Sequence, residues 1–502
     1  MKQEIVVNCT PQESRIALVE DGALAEFLVE RRQERGIVGN IYKGKVARVL
    51  PGMQAAFVEM GLDKAAFLHV SDFTSGPEPV PNFPGSDQEI VFEGPKPSSH
   101  RRLPIEQQLS RAQEILVQVA KDPLGMKGAR VTSHVSLPGR YLVFMPGASH
   151  IGISRRIDDD KERKRLKEIA LSLRTDEGGF ILRTACVGRS KREIQRDLKF
   201  LTKLWGRIQK NAEPVAAPAL IHQDLDLIAR TIRDFFSAET HQVVVDHVKE
   251  YRRILDFVGH FMPRLKSRIT LYTESEPIMH RYGIEEKVAK ALEPKVWLRS
   301  GGYITIEQTE ALTAIDVNTG RFVGKRSQEE TVLRTNLEAA QEVVRQLRLR
   351  NVGGLIIIDF IDMEKEGNRK KVYEVLNEAI QGDKARTNIL KISELGLVEM
   401  TRQRTRESLQ NVLMSSCPYC QGRGRIKSNI TIAYEILRAV KKEKAQLGDG
   451  KRIVVRLHPE IANFLYDEEN RSLDYLEREI NDKIIIKVSS DLHHDQYEIA
   501  AL

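Results

Sequence analysis

The chain has 502 residues, of which 29% are charged and 41% hydrophobic, and its 78 Lys and Arg residues exceed its 70 Asp and Glu residues by eight. A single core stops growing well below this length, so we expect several domains. There is no signal-peptide core at the start, no apolar run of the roughly 20 residues that span a membrane, and too few cysteines for a disulfide framework. These features argue against a membrane-spanning or disulfide-stabilised secreted protein, predict a cytoplasmic one and favour a polyanionic partner.

The first 35 residues alternate polar and apolar side chains, as around Ile5, Ile16 and Leu24. This pattern is typical of short antiparallel strands. Because these strands are too few to enclose a core, we expect them to join a later segment of the chain.

Residues 36–133 predict a small barrel of the oligonucleotide-binding kind. Closely spaced apolar strands are separated by turns at Pro51 and Gly61, and the last strand is expected to begin at Ile115. Residues 74–104, which are rich in Pro, Gly and Ser, predict a long loop inserted into this barrel.

Two phenylalanines in the barrel strands, Phe57 and Phe67, have two readings. They can stack on RNA bases, since every base offers a π-face, or they can belong to the barrel core.

Residues 134–228 predict a further α/β module. Arg183 and Thr184 together end an apolar strand and offer a guanidinium fork and a hydroxyl, which suit a terminal phosphate. The segment from Arg189 to Lys210 reads as an amphipathic helix with a basic outer face, which is either an ordinary solvated face or a nucleic-acid contact.

Two apolar segments near residues 313–318 and 355–362 each lead into an aspartate, Asp316 and Asp359. The helical spacing of apolar residues predicts a helix over Gln328–Leu349 between them. Such a crossover normally returns a strand parallel to the first one, which would bring both aspartates to the same edge of a sheet.

A carboxylate pair at a sheet edge suits Mg²⁺, which takes oxygen ligands and leaves positions for water and substrate phosphate. Asn318 would point to the same face as Asp316 and could orient a metal-bound water or the scissile phosphate. The alternative is that both aspartates only cap turns. Asp362 is either a partner of the ligands or an N-terminal helix charge.

Cys417 and Cys420 form a Cys-x-x-Cys pair followed by a Gly-rich turn, which is half of a structural zinc site. A second copy of the chain could complete the four ligands, or the pair could be a redox dithiol. Its position in a link between domains favours shared zinc. Cys9 and Cys186 are interpreted as small hydrophobic residues, and residues 428–502 as a small α/β domain.

The order of these features resembles the ribonuclease E/G family over essentially the whole chain. The resemblance rests on the motifs AIDVNTG (314–320), TNLEAA (335–340), RQLRLR (345–350), GGLIIIDFIDM (353–363) and CPYCQGRG (417–424).

The resemblance implies a multidomain α+β fold. An RNase H-like subdomain would combine residues 1–35 and 229–291, with an S1-type OB-fold barrel (36–133) and a 5′-sensor region (134–228) inserted into it. A DNase I-like α/β catalytic domain (292–413), a zinc link (414–427) and a small C-terminal α/β domain (428–502) would follow.

The resemblance also implies residue roles. Asp316 and Asp359 would bind catalytic Mg²⁺, supported by Asn318. RNA would be held by Phe57, Phe67 and Lys127, and a 5′-monophosphate would be sensed by Gly139, Val143, Arg155, Arg183 and Thr184. Cys417 and Cys420 would share a Zn²⁺ ion with the same pair of a second protomer, giving a homodimer that can pair into a tetramer.

The implied activity is Mg²⁺-dependent endonucleolytic hydrolysis of single-stranded RNA, stimulated by a 5′-monophosphate, which leaves 5′-phosphate and 3′-hydroxyl ends. The implied substrates are ribosomal RNA precursors and messenger RNA. The alternatives are a non-catalytic RNA-binding scaffold, for which the barrel and the basic helix would suffice, and a redox protein that uses Cys417 and Cys420.

Overall fold

The computed structural model describes residues 2–73, 103–123, 127–148, 150–157, 159–320, 328–393, 396–404, 406–447 and 452–501. Most of the loop predicted at 74–104 therefore lies outside the described residues. The chain forms two compact units, Met1–Val412 and Leu413–Leu502. In the ranges given above, every helix is too short or too polar to cross a bilayer. Strands and helices are numbered along the chain.

The first sheet joins the start of the chain to a much later segment, as the sequence predicts. Its order is β15-β14-β1-β2-β3, with β1 parallel to β14 and antiparallel to β2. The strands are β1 (Gln3–Cys9), β2 (Glu13–Glu20), β3 (Ala23–Arg31), β14 (Thr240–Val245) and β15 (Ile269–Leu271), and the helices that share their core are α4 (Leu227–Phe235) and α5 (Val248–Phe261).

The second sheet is a closed five-stranded barrel, because β4 pairs with both β5 and β7 and the strands between them are continuous. Its elements are β4 (Ile41–Leu50), β5 (Ala55–Glu59), β6 (Ala66–His69), β7 (Glu114–Lys121), β8 (Arg130–Thr132) and the short helix α1 (Ile105–Gln108), and β13 (Ala219–His222) adds to β4.

The prediction that the strand beginning at Ile115 is the last strand of the barrel is wrong. Strand β8 follows it along the chain and lies between β6 and β7. With three residues, β8 is too short to show the alternation by which strands are recognised.

The third sheet, of order β11-β12-β10-β9, is covered by the predicted basic helix. A capping box of Ser190 and Glu193 begins this helix, α3, and its apolar side, including Ile194 and Leu201, is buried. The elements are β9 (Leu137–Pro138), β10 (Leu142–Pro146), β11 (Ile151–Ile153), β12 (Gly178–Leu182), α2 (Asp160–Ser172) and α3 (Lys191–Ala212).

The fourth sheet has the order β16-β17-β18-β19-β21-β20, and its core contains side chains of α8 and α9. The strands are β16 (Lys295–Trp297), β17 (Tyr303–Gln308), β18 (Leu312–Asn318), β19 (Gly354–Asp359), β20 (Thr387–Ile389) and β21 (Leu397–Arg402). The helices are α8 (Gln328–Leu349), α9 (Glu366–Ile380) and α10 (Leu409–Leu413), whereas the preceding helices α6 (Ile278–Arg281) and α7 (Ile284–Leu292) contact β1 and β3 of the first sheet.

The second compact unit is built on a three-stranded sheet of order β23-β22-β24, with β22 parallel to β23. Its elements are β22 (Ile453–Leu457), β23 (Ile484–Val488), β24 (Tyr497–Ala501), α11 (Asn429–Leu447), α12 (Pro459–Asp467) and α13 (Asn470–Glu479). The unit has its own core.

The two faces of β19 differ in burial, which a matched pair of variants can measure. Ile358 is 0% exposed in the core, whereas Leu355 on the opposite face is 42% exposed. We expect Ile358→Ala to lower the free energy of unfolding by about 2–5 kcal/mol, and Leu355→Ala to change it by no more than about 0.5 kcal/mol. Urea denaturation followed by circular dichroism measures both, and equal losses would contradict the assigned faces.

Candidate active site

Asp316 and Asp359 lie directly opposite each other on neighbouring strands. Strand β18 is parallel to β19, with Asp316 in register with Asp359, and helix α8 connects the two strands. The predicted parallel crossover is thus confirmed. Because neighbouring strands lie about 4.8 Å apart, the two carboxylates leave the same face of the sheet as near neighbours.

The alternation of apolar residues decides which face the carboxylates occupy. On β18, Ile315 and Val317 are buried against the helices, while Asp316 between them is exposed. On β19, Ile358 is buried and Asp359 is exposed. A slip of one residue in either strand would turn a carboxylate into the core, so core packing fixes the pair.

Asp316 and Asp359 place two negative charges side by side. Among the residues that the structure describes, neither aspartate has an ion-pair partner. Partial burial, together with the negative charges of Asp316 and Asp362, raises the pKa of Asp359. Two adjacent carboxylates without a cationic side chain form a site that suits a hard divalent cation.

The donor set fits Mg²⁺ better than a metal that needs many protein ligands. In the described ranges, no three His, Cys, Asp or Glu side chains are grouped to hold a metal. Mg²⁺ keeps several waters and needs only one or two carboxylates. The Asn318 amide Nδ2 donates to Asp316 Oδ2 at 2.7 Å, which fixes the orientation of that carboxylate.

Sequence reasoning missed Asn336, which positions the end of the second strand. Its side chain is 0% exposed on helix α8, donates to the carbonyl of Ile361 at 2.8 Å and accepts from the Ile361 amide at 3.2 Å. Ile361 lies between Asp359 and Asp362. The available signal was a polar residue within the buried stripe of a helix, where an amide needs a specific partner.

Phe57 and Phe67 lie on the outside of the barrel. They are opposite each other on β5 and β6, their ring centroids are 6.1 Å apart at 68°, and both are half-buried. Their neighbours Ala56 and Leu68 point into the core instead. The reading of these phenylalanines as core residues is therefore wrong. Lys127 is exposed shortly before β8, which pairs with Phe67.

Arg183 and Thr184 line a basic cavity of about 530 Å³. Eight arginines and Lys384 face it against four carboxylates, an excess of positive charge that suits a phosphate. The arginines are Arg140, Arg156, Arg183, Arg189, Arg233, Arg348, Arg402 and Arg406.

The other predicted sensor residues have different positions. The carbonyl of Gly139 accepts from Arg183 Nη1 at 2.8 Å. A Cβ on Gly139 would lie 2.6 Å from Asp197 Oδ2, so only glycine fits there. Val143 pairs with the strand that leads to Arg183, while Arg155 is exposed and its neighbour Arg156 lines the cavity.

Asp234 holds the Arg183 guanidinium at the cavity wall, because its Oδ1 accepts from Arg183 Nη1 at 2.8 Å. Burial would raise the pKa of Asp234, but the charges of Arg233 and Arg183 hold it below its ordinary value. The carboxylate therefore stays ionised and orients both guanidinium groups.

Cys417 is exposed and Cys420 is half-buried in the Gly-rich turn. Backbone amides of Gly424 and Gly422 lower the pKa of Cys420, which favours its thiolate. A thiolate suits both a zinc ligand and a redox dithiol, so both remain predictions. The ring of His493 forms a hydrogen bond with the carbonyl of Tyr419, between the two cysteines, and so connects the turn to the segment between β23 and β24.

Comparisons with known proteins match the whole chain. The model of the Ribonuclease E/G family matches residues 136–405, and that of the RNase E/G thioredoxin-like domain matches residues 416–502. Ribonuclease G of Escherichia coli K12 is 42% identical over 502 residues, all of both chains, and ribonuclease G of Haemophilus influenzae is 42% identical over 500 residues, 99% of each. Ribonuclease E of Escherichia coli K12 is 38% identical over 503 residues, which are 99% of this chain and 46% of its own length.

Asn336 offers a direct test of how the carboxylate pair is positioned. Asn336→Ala leaves the partly buried amide and carbonyl of Ile361 without their Asn336 partners, so we expect a loss of about 1–3 kcal/mol in the free energy of unfolding. Asn388→Ala, at an exposed position in the same sheet, should change it by less than about 0.5 kcal/mol. Urea denaturation compares the two variants, and equal stabilities would show that the Asn336 bonds do not hold this segment.

Proposed function

Because this chain belongs to the ribonuclease E/G family, we propose that it is a Mg²⁺-dependent endoribonuclease that cuts single-stranded RNA and leaves 5′-phosphate and 3′-hydroxyl ends. The observation that carries the proposal is the register of β18 and β19, which pairs Asp316 with Asp359 on an exposed face. A scaffold that only binds RNA has no need of two carboxylates side by side on an exposed face.

Asp316 and Asp359 would hold the metal ion, and Asn318 keeps the Asp316 carboxylate turned toward it. When bound, Mg²⁺ would polarise the scissile phosphate and lower the pKa of an attacking water. Asn336 holds the backbone beyond Asp359, so the two carboxylates keep their spacing. The open face of the sheet leaves room for an RNA strand.

The barrel would hold the RNA next to this site. Phe57 and Phe67 present half-buried rings on the barrel exterior, where unpaired bases can stack. Lys127 would contact the phosphate backbone. A paired duplex keeps its bases inside the helix, so this surface favours single-stranded RNA.

The basic cavity would bind the 5′-monophosphate that stimulates cleavage. Arg183, oriented by Asp234, offers a charged donor, and the exposed hydroxyl of Thr184 lies beside it. Gly139 allows Asp197 to approach the strand that supports Arg183. Val143 and Arg155 belong to the same proposed sensor.

Cys417 and Cys420 would share a structural Zn²⁺ ion with the same pair of a second protomer. Four thiolates complete a tetrahedral site that one chain leaves half filled. The resulting homodimer, which can pair into tetramers, would act in the cytoplasm on ribosomal RNA precursors and messenger RNA.

Asp316→Asn and Asp359→Asn test the catalytic proposal. We expect each to lower cleavage by about three orders of magnitude, because metal stabilisation of the developing charge is worth several kcal/mol. The assay follows a 5′-labelled, 5′-monophosphorylated RNA with Mg²⁺ or EDTA, and filter binding measures RNA affinity, which should survive.

Asp474→Asn, at an exposed position in the C-terminal unit, serves as the control and should keep full activity. Cleavage retained by both active-site variants would reject the proposal. RNA binding by a wild-type protein that never cuts would instead support the scaffold.

Cys417→Ser tests the shared metal site. We expect it to remove bound zinc and to turn the dimer into a monomer, since three thiolates or fewer hold zinc poorly. Elemental analysis should give roughly one zinc ion per two wild-type chains, the stoichiometry of a four-thiolate site, and sedimentation measures the dimer. Cys9→Ser is the control, and a zinc-free dimer would point to the redox reading.

A further inference from the structure

The open face of the catalytic sheet carries two aromatic side chains beside the carboxylate pair. Trp297 on β16 is in register with Tyr303 on β17, and Tyr303 is in register with Asn318 on β18. Residues directly opposite each other in a sheet point to the same face. With strands about 4.8 Å apart, the tyrosine lies about one strand and the tryptophan about two strands from the strand that bears Asp316.

This tryptophan is exposed although its ring is among the largest apolar groups in the chain. Trp297 is 63% exposed, and its ring centroid is 5.4 Å from that of half-buried Tyr303, at 62°. The other tryptophan, Trp205, instead packs against a core. An exposed tryptophan next to a functional site indicates a contact surface.

Lys295 adds a positive charge to this aromatic pair, and the side chains of Lys295, Trp297 and Tyr303 together form one platform. Its Nζ lies 3.5 Å from the Tyr303 ring centroid and 4.3 Å from that of Trp297. Lys295 pairs with Thr305, which in turn pairs with Asp316, so the backbone of Lys295 is in register with that of Asp316. Cation–π contacts hold the ammonium over the rings while leaving its N–H groups able to meet a phosphate.

The turn that joins the two aromatic strands is fixed to the rest of the domain. Leu298 donates its amide to the carbonyl of Gly302 at 2.8 Å, and Gly301 has φ +98°, which favours glycine. The amide of Ser300 donates to Glu338 on helix α8 at 2.9 Å. The platform is therefore preorganised, which lowers the cost of ordering it when a ligand binds.

We infer that Trp297 stacks on one base of the RNA substrate next to the scissile phosphate, that Tyr303, inclined at 62° to it, packs at the edge of that base, and that Lys295 contacts the adjoining backbone phosphate. The inference rests on the proposed function. The aromatic ring can contact a base, and the ammonium can contact a backbone phosphate. The neighbouring carboxylate pair would then face the phosphodiester bond that is cut in the same RNA strand. Because every base has a π-face, the platform positions RNA without strict sequence choice.

Steady-state kinetics give the first test, with the full chain, Mg²⁺ and a single-stranded RNA that has one cleavage site. We expect Trp297→Ala to raise KM by about 5- to 100-fold, the factor expected from the loss of one stacked base, with a smaller change in kcat. Trp297→Phe keeps a ring and should recover most of the loss. Tyr475→Ala, at a residue 70% exposed in the C-terminal unit, is the control.

Substrates with a single abasic position identify the stacked base. In the wild type, one abasic position next to the cut should raise KM by a similar factor. For Trp297→Ala, the same abasic substrate should raise KM little further, because this variant has already lost the contact. Equal sensitivity of both proteins to every abasic position would overturn the inference.

Fluorescence gives a readout that needs no cleavage. With EDTA present, binding of the RNA should quench the Trp297 emission, obtained as the difference between the wild type and Trp297→Phe. An RNA that binds by anisotropy without this quenching would overturn the inference while leaving the proposed nuclease intact. A wild type that cuts no RNA would reject the nuclease itself. Dimer loss in Trp297→Ala would show instead that the ring contacts protein, and would also overturn the inference.

Discussion

The parallel pairing of β18 with β19 is the constraint on which the candidate active site depends. Its register places Asp316 opposite Asp359, and no loop conformation has to be specified to bring them together. Side chains alternate along a strand, so the core residues Ile315 and Ile358, both buried, hold the register by the free energy of their burial. The same packing that stabilises the domain thus fixes the distance between the two carboxylates.

The two faces of this sheet have different roles, because one contributes to stability and the other carries the candidate active site. One side of the sheet packs on α8 and α9, while the other carries the aspartates, Asn318 and the aromatic pair. Asn336 is the exception, a polar group inside the packed layer that reaches the backbone beyond Asp359. Its two hydrogen bonds to Ile361 hold the segment that follows β19 in a fixed position relative to helix α8. A substitution there would therefore act on the site without touching it.

Elements whose apolar residues recur with a regular period could be predicted from the sequence. The period of apolar residues gave helix α8 its observed bounds, Gln328–Leu349, and the crossover rule then brought the aspartates together. Strand β8 was missed because three residues carry no period. The basic cavity could not be predicted from neighbouring residues, since Arg140, Arg348 and Arg402 come from segments that only tertiary folding brings together. Trp297 was missed for the same reason, because its relation to Asp316 is a matter of register across three strands.

The protein is basic overall, yet the exposed face of its fourth sheet carries a negatively charged site that a polyanion has to approach. A polyanion is attracted by the general surplus and by the arginines of the cavity, yet the pair Asp316 and Asp359 repels the phosphate that has to approach it. Partial burial and the proximity of these charges already raise the pKa of Asp359. Asp316 and Asp359 would hold a divalent cation that reverses the local sign, so we expect the RNA backbone to be attracted to this site only in the presence of the ion. The stacking contact proposed for Trp297 does not depend on that reversal, so the base can be held there before the phosphate approaches the metal site.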